Sequence, residues 1–596
     1  MVTSRVVSRN EVQLNDVRFP ILGPVRATVA SQYPAKIVIG DITKDSHPRV
    51  STIAWNSFER GFGLERTGGQ KAEDLEKVFF AEGITLFPGH LVLPFEQTST
   101  GSPAGSGNVS TVGERGAVIY GTRGTDVSTW SGSSWSVSAH TLGAAATDVE
   151  HFFLAGTEYI AWATTSGYTY YNGSSYTNDT TDAVYLAYWD DRLWGIDTGG
   201  QLWYSSTIGT EVNDAILQLP SGYVTALFVG PDASGNDILY AATQAGLYAH
   251  DAANARFVRT HVTWPKNANG GLGATTWRGR IYVSTGSTGI LEYDPQSGFV
   301  RAMGPDQDSG LPSSYRDGNI NFMVGSHLWL LIGMASATNR HVYSWNTTGW
   351  SVISTKDTSN DLGPLLVSDA VSSYRLYFVA GTVVKRMELP DSTVSPDENS
   401  ALRWETSAVQ EDTSLPYFDA GQANVDKLAI RLHVEVTGAS STSTVVAGYV
   451  LNYVGSHTNF ATIIADGTTT FDFQTNSENS GVAFRAIRIR LRLANDTSTD
   501  TPDIRSVTLE FRKKLPTTYG FQFDVDLSKP YKENESVSQM RANLISTLES
   551  NIMTEFTYRD NDGGTQNYFV DVVNIESLEE TGLDETGTMR VTVAEL

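Results

Sequence analysis

A short pattern of residues recurs seven times along the middle of the chain, and it constrains the fold more than any other feature. Each copy is an apolar run of four to six residues with a Tyr or Trp near its centre; the copies are residues 117–122, 159–164, 192–196, 237–241, 280–284, 327–330 and 375–379. Successive copies are 34 to 48 residues apart, which is typical of propeller blades. The pattern predicts a mainly β protein with a β-propeller of about seven blades at residues 111–390.

Short hairpins follow several of these strands, each with an aromatic residue on both sides of a turn rich in Gly, Asn or Ser. The aromatic pairs are Trp130 with Trp135, Tyr171 with Tyr176, Tyr293 with Phe299, and Trp345 with Trp350. Asn and Gly accept the positive φ of a tight turn, and facing rings can pack across neighbouring strands. We therefore interpret the rings as structural, with stacking on sugars as the alternative.

The regions before and after the repeat have different patterns. Residues 1–110 contain a strand pair around a Pro-Gly turn at 79–94 and a Gly/Ser-rich linker at 98–107. We interpret them as an N-terminal β docking arm whose last strand helps to close the propeller; an ordinary small β subdomain is the alternative. After a polar linker at 390–398, long alternating strands at 427–436, 486–493 and 506–511 predict an antiparallel β-sandwich at 391–515.

The last part of the chain, residues 516–596, predicts a small α+β C-terminal domain. Ser536 and Gln539 have the spacing of a helix capping box. The apolar residues that follow share one helical face; they are Val537, Met540, Leu544, Ile545 and Leu548. We expect the principal helix of the protein to run from Val537 to about Leu548.

Charge is distributed unevenly over the chain. There are 66 acidic and 42 basic residues, a formal net charge of −24, which argues against sequence-independent nucleic-acid binding through phosphate contacts. In the strand 486–493, Arg488, Arg490 and Arg492 alternate with apolar residues, so they should share the outward face. We interpret these arginines as a partner-binding strip for an acidic partner or another copy of the chain. A solvated face is the alternative.

The sequence offers little that resembles catalytic or metal chemistry. It has no cysteine, no phosphate-binding loop and no His pair at metal-ligand spacing. Asp190 and Asp191 could serve glycoside hydrolysis, which needs two carboxyl groups, but adjacent strand residues point to opposite faces. We predict no catalytic residues, no metal site and no cofactor. The N-terminus lacks a signal-peptide core and no apolar run is long enough to cross a bilayer, so membrane insertion is not expected.

Four places in the chain together resemble the propeller-bearing minor tail and virion structural proteins of tailed bacteriophages. They are the Gly-rich segment 60–64 ahead of the strand pair 79–94, the aromatic-hairpin propeller, the strand end and loop 490–507, and the strand 519–527. No single motif among them is diagnostic, and the resemblance implies no catalytic residue in this chain.

The resemblance implies a non-enzymatic structural protein of the tail or tail tip, made in the host cytoplasm and located in the virion. It implies docking on other tail proteins through the terminal domains, a homo-oligomer in the particle, and a displayed propeller that could serve host attachment through a surface glycan. Two alternatives remain open: a glycan-cleaving tailspike-like enzyme that uses propeller carboxylates, and a bacterial propeller scaffold protein.

Overall fold

Among the residues that it describes, the computed structural model of this chain is mainly β, with 61% strand and 3% helix. It describes residues 8–61, 63, 76–217, 222–305, 318–335, 340–354, 362–391 and 402–595, apart from residues 16, 31–49, 88, 372, 455, 477–478, 515–517, 529–535, 551, 561 and 582–585. Most of the predicted linker 390–398 lies outside these residues. Among the described residues, no helix is long and apolar enough to cross a membrane.

Seven four-stranded antiparallel sheets follow one another along the chain. The strands of the first three sheets are Val109–Arg115, Val118–Arg123, Asp126–Trp130 and His140–Thr141; Ala146–Leu154, Thr157–Thr164, Gly167–Tyr171 and Tyr176–Asp179; and Tyr185–Trp189, Arg192–Ile196, Gln201–Thr207 and Thr210–Ile216. Those of the fourth and fifth are Val224–Pro231, Asp237–Thr243, Gly246–Asp251 and Arg256–Thr263; and Thr275–Trp277, Arg280–Ser284, Ile290–Asp294 and Phe299–Met303. Those of the sixth and seventh are Asn319–Gly325, Leu330–Ala335, Arg340–Trp345 and Trp350–Val352; and Leu362–Ser368, Arg375–Ala380, Val383–Glu388 and Thr98–Gly101.

These sheets have the layout of a β-propeller. The first strand of each sheet lies against the first strand of the next, and the first strand of the seventh lies against that of the first. The repeated run predicted from sequence is the second strand of its sheet in six of the seven copies. The second strand of a sheet is covered on both faces when neighbouring sheets pack with their faces together. This explains its apolar composition. In the sixth copy, residues 326–329 form a turn instead, and the strand begins at Leu330.

Two of the predicted aromatic pairs pack directly across the tight turn between the third and fourth strands of their sheets. In the fifth sheet the predicted pairing is wrong, because Tyr293 faces Val300 and Phe299 is 59% exposed. Tyr171 stacks on Tyr176 with 4.3 Å between ring centroids, and Trp345 lies 4.9 Å from Trp350. Both pairs face each other directly across the two strands. The rings therefore contribute to sheet packing.

A strand from the N-terminal region completes the seventh sheet. Thr98–Gly101 pairs with Val383–Glu388, and Thr100 Oγ1 donates a hydrogen bond to the carbonyl of Val384 at 2.7 Å. The segment predicted as a flexible linker at 98–107 thus begins with a strand, because pairing with Val383–Glu388 outweighs the weak strand preference of its Ser and Gly residues. Trp135 of the first sheet donates from Nε1 to Thr100 Oγ1 at 3.2 Å, so its indole joins the first and seventh sheets.

Replacing Trp135 by Ala should loosen this junction. We expect a loss of about 2 kcal/mol in the free energy of unfolding, less than for a fully buried Trp because the indole is only half-buried. Amide hydrogen exchange should rise in Thr98–Gly101 and in its partner strand Val383–Glu388 more than elsewhere. The Trp135→Phe variant, which keeps an aromatic ring, should show a smaller increase. Unchanged exchange in both strands would contradict the role given to Trp135.

The remaining strands form three larger sheets and a short hairpin, Gln474–Asn476 with Asn479–Ser480. The five-stranded sheet consists, in order, of Thr458–Ile463, Ser443–Leu451, Ile487–Asn495, Ser407–Ser414 and Phe80–Glu82. The branched sheet consists of Gly467–Asp472, Asp426–Thr437, Asp503–Lys514, His90–Val92 and Thr85–Phe87, with Ser51–Trp55 and Val482–Phe484 attached. The terminal sheet consists of Val17–Pro20, Glu11–Leu14, Thr554–Arg559, Thr565–Thr581, Thr586–Glu595, Thr518–Asp526 and Arg26–Ala30.

The terminal sheet and the helix Val537–Leu548 belong to one compact unit, and the other sheets belong to a second. The helix has the predicted bounds and the predicted capping box between Ser536 and Gln539. Met540 and Leu544 are buried against the sheet. Ile545 and Leu548, predicted on the same face, are each 38% exposed, because this twelve-residue helix buries only Met540 and Leu544 at the centre of its apolar stripe.

The strands of residues 1–110 add to sheets that later parts of the chain build. The hairpin Glu11–Leu14 with Val17–Pro20 lies beside Thr554–Arg559 in the terminal sheet. Ser51–Trp55 pairs with Asp503–Lys514, and Phe80–Glu82 pairs with Ser407–Ser414. In the described residues, this region therefore completes the C-terminal sheets.

Candidate partner-binding site

The three arginines predicted to bind a partner lie on the central strand of the five-stranded sheet, Ile487–Asn495. Burial alternates strictly along this strand: Ile487, Ile489, Leu491 and Leu493 are buried in the core, and the intervening arginines are half-buried on the opposite face. The predicted direction of the side chains is confirmed. Their partner-binding role stays a prediction, and the contacts of each arginine differ.

Arg488 lies between two aromatic rings. Its guanidinium carbon is 4.0 Å from the ring centroid of Phe79 and 4.0 Å from that of Tyr417, which are cation–π distances. Burial between the rings lowers the pKa of Arg488 from its ordinary value. Its Nε is buried and has no hydrogen-bond partner. Phe79 comes from the N-terminal region, so this contact also holds that region on the sheet.

Arg490 forms a two-point ion pair within the chain. Its Nε donates to Asp412 Oδ1 at 2.6 Å, and its Nη2 donates to Oδ2 of the same carboxylate at 2.5 Å. Asp412 lies on the neighbouring strand Ser407–Ser414. The pair is part-buried, so one of the three positive charges is balanced locally.

Arg492 has no ion pair or hydrogen bond with any residue that the structure describes, and its Nε is buried. The exposed His457 is close enough for the charges of all three arginines to affect its pKa. Partial burial and then the positive charge of Arg490 lower the pKa of His457, the charges of Arg492 and Arg488 add to this, and Asp412 acts in the opposite direction. We call Arg488, Arg490, Arg492 and His457 the Arg face. It carries three arginines against one paired carboxylate, Asp412, so the net charge of these groups is positive.

A strained turn with exposed apolar side chains lies beside the Arg face. Asn452 and Tyr453 have φ of 52° and 61°, and a bulky residue such as Tyr rarely adopts this conformation. Asn452 holds the turn, because its Oδ1 accepts the backbone N–H groups of Arg485 at 2.7 Å and Ala486 at 3.3 Å. The Tyr453 ring packs against Tyr417 at a tilt of 49°, with 4.4 Å between the ring centroids. Tyr453 is nevertheless 47% exposed, and Val454 is 78% exposed.

Sequence reasoning missed this turn, which we call the 452–454 turn. The sequence Asn452-Tyr453-Val454 follows an apolar strand directly, and only Asn452 signals a positive φ. The exposure of Tyr453 and its contact with Tyr417 depend on residues far away in sequence. The site thus combines a positive face with an exposed aromatic and aliphatic tip.

Two carboxylates that the sequence did not single out lie on the first strand of the second four-stranded sheet. Asp148 Oδ2 accepts the N–H of Leu186 at 2.9 Å, and Glu150 Oε1 accepts the N–H of Tyr188 at 3.0 Å. Both donors belong to the first strand of the third sheet. Burial raises the pKa of Asp148 to about 7, and burial together with the charge of Asp148 raises that of Glu150 to about 8. These acids therefore join neighbouring sheets.

The acid pair considered from sequence, Asp190 and Asp191, forms the turn between the first two strands of the third sheet. Both residues have positive φ, 51° and 53°, which is the conformation of a type I′ hairpin turn. Asp191 Oδ1 accepts the hydroxyl of Tyr188 at 3.1 Å. The expectation that they lie on a strand is wrong, because the turn needs two residues that tolerate positive φ. In the described part of the chain, no group of three His, Asp or Glu side chains could hold a metal ion.

No protein-family model and no curated protein matches this chain. It has weak structural similarity to the extracellular domain of a hybrid two-component system from B. thetaiotaomicron, with 13% identity, a TM-score of 0.39, and coverage of 54% of this chain and 46% of that one. For YCF48 bound to a D1 peptide the identity is 12%, the TM-score 0.36, and the coverage 51% and 97%. For the Pan2 WD40 domain of Neurospora crassa the values are 10%, 0.34, 50% and 98%.

The match spans less than half the length of the first of these structures. At such identities and TM-scores, the similarities carry no information on function.

Proposed function

We propose that this chain is a non-enzymatic structural protein of a tailed-phage virion, in the tail or tail tip. In this proposal it is made in the host cytoplasm, docks on neighbouring tail proteins and displays a propeller. The observation that carries the docking part is the Arg face beside the exposed 452–454 turn, a positive and partly apolar surface on a chain with a net charge of −24. The phage assignment rests on the sequence resemblance at residues 60–64 ahead of 79–94, in the aromatic-hairpin propeller, at 490–507 and at 519–527.

We infer that the seven four-stranded sheets are the seven blades of one closed propeller, in which Thr98–Gly101 completes the last blade. Contact between the first strands of successive sheets supports this inference. We infer that the five-stranded and branched sheets form a β-sandwich, because Leu432, Leu491 and Leu509 from the two sheets share one buried core. The terminal sheet with its helix would be the small α+β domain.

The propeller is proposed to face away from the tail and to serve host attachment. Phe153 on the second sheet and Phe299 on the fifth are 57% and 59% exposed, and exposed rings are suited to stacking on a host-surface glycan. The arginine strip of the five-stranded sheet would then face the particle or another copy of the chain.

Binding of the purified full chain to tail particles assembled without it tests the proposal. The full chain is required, because strands from residues 11–101 complete the sheets that later residues build. We expect the wild type to cosediment with the particles, an antibody against it to label the tail in negative-stain images, and the Arg492→Glu variant to bind about tenfold more weakly. The absence of labelling on any part of the virion would contradict the proposal.

The second candidate is a glycan-cleaving enzyme that uses propeller carboxylates. The observation that favours it is the raised pKa of Asp148 and Glu150, about 7 and about 8, since a general acid must hold a proton near neutral pH. Incubation with host polysaccharide separates cleavage from binding. Reducing ends released by the wild type and lost in Glu150→Gln would support the enzyme, whereas binding without cleavage would support the structural protein.

A further inference from the structure

The 452–454 turn has the properties of an interaction anchor. Tyr453 is bulky, keeps a φ of 61° and exposes 47% of its surface, although the strain would be relieved by Asn or Gly at this position. The hydrogen bonds from Arg485 and Ala486 to Asn452 hold the turn in one conformation. An exposed ring that is already fixed in place loses little conformational entropy when it binds.

The Arg face next to this turn carries more positive charge than the chain balances. Asp412 pairs with Arg490, whereas Arg492 has no ion pair among the described residues and Arg488 contacts aromatic rings. The rest of the chain is strongly acidic, with 66 acidic against 42 basic residues. A second copy has the same net charge of −24, so most of its charged side chains are opposite in sign to the Arg face.

We propose that the Arg face and the 452–454 turn bind an acidic surface of a second copy of this chain. The contact joins two different surfaces, because a two-fold symmetric contact through the Arg face would place Arg492 of one copy against Arg492 of the other. Arg492 supplies the charge, and Tyr453 with Val454 supplies the apolar contact. A contact of this kind repeats from copy to copy and closes into a ring when the rotation allows. The proposal deepens the proposed docking function by naming the partner at this surface.

Sedimentation velocity of the purified full chain tests this proposal at concentrations up to about 100 μM, in NaCl of about 0.05 M and about 0.5 M. We expect reversible self-association that is at least about tenfold weaker at the higher salt concentration. Arg492→Glu and Tyr453→Asn should each weaken association by about tenfold or more at low salt. A wild-type chain that stays monomeric under both conditions would overturn the proposal.

The Tyr453→Asn variant separates binding from folding. Asn accepts a positive φ, so the melting temperature should remain close to that of the wild type while association is lost. Arg259→Glu, which alters an exposed arginine on the outer strand of the fourth sheet, is the charge-matched control and should associate like the wild type. Equal effects of Arg492→Glu and Arg259→Glu would also overturn the proposal, because net charge alone would then explain the result.

The outcome is independent of the virion assignment. Self-association through this face in purified protein, combined with no binding to tail particles, would contradict the proposed function and leave this inference standing. A chain that stays monomeric in solution but binds to tail particles would overturn this inference and support the proposed function.

Discussion

Replacing Asp148 by Asn together with Glu150 by Gln is expected to stabilise the protein at neutral and alkaline pH, with a gain that grows between about pH 4 and about pH 8. Each acid accepts one backbone N–H of the neighbouring sheet, from Leu186 and Tyr188, and an amide oxygen can accept the same hydrogen bond. The substitutions therefore keep the geometry and remove only the ionisation.

The direction follows from the pKa values. Burial raises the pKa of Asp148 from 3.8 to about 7 and that of Glu150 from 4.5 to about 8. Between the unfolded and folded values, the native state holds protons that the unfolded chain has released. The stability from these neutral acids is therefore fully present below about pH 4 and is lost as the pH rises through the folded values. The amide variants carry no titrating group at these two positions, so they keep this stability as the pH rises.

The expected gain at pH 8 is about 2–4 kcal/mol for the pair, discounted because both side chains keep some contact with solvent. Urea unfolding at a series of pH values measures it. The control is Asp190→Asn with Asp191→Asn, which removes two charges from an exposed turn. The same pH-dependent gain in both double variants would show that general charge repulsion, and not the buried acids, causes the effect.

Replacing Gly349 by Ala is expected to destabilise the protein by about 3 kcal/mol, because no space exists for a methyl group. A Cβ at this position would lie less than 3.0 Å from backbone atoms of both Arg60 and Gly61, closer than real Cβ atoms approach. Two hydrogen bonds hold these segments together nearby. The carbonyl of Glu59 accepts one from Asn346 Nδ2 at 2.9 Å and one from Thr348 Oγ1 at 3.0 Å. The added methyl group must push the two segments apart.

Urea unfolding of Gly349→Ala measures this loss, and Gly23→Ala is the matched control. A Cβ at Gly23 would meet no atom within 4 Å, and its φ is not in the positive range, so the control should change stability by less than about 0.5 kcal/mol. A Gly349→Ala protein as stable as the control would show that the segment around Gly61 does not pack tightly on the sixth sheet.

The sequence by itself determined the elements that depend on local pattern. The repeated run of Tyr or Trp among apolar residues identified the second strand of six sheets, and the alternation of Arg488, Arg490 and Arg492 identified the outward face of one strand. The capping box at Ser536 fixed the start of the helix. Each of these signals is contained within a few neighbouring residues, because strand and helix periods are set by the local backbone.

Only the tertiary structure decided which segments meet. The sequence predicted that an N-terminal strand helps to close the propeller, but not that Thr98–Gly101, in the predicted linker, pairs with Val383–Glu388. It also gave no sign that Phe79 covers Arg488. Gly61 and Gly349 were visible in sequence as turn residues, but their contact with each other was not. The raised pKa of Glu150 likewise depends on burial by neighbouring sheets. Partner identity and burial are properties of distant residues brought together by packing, and a single sequence carries no local pattern for either.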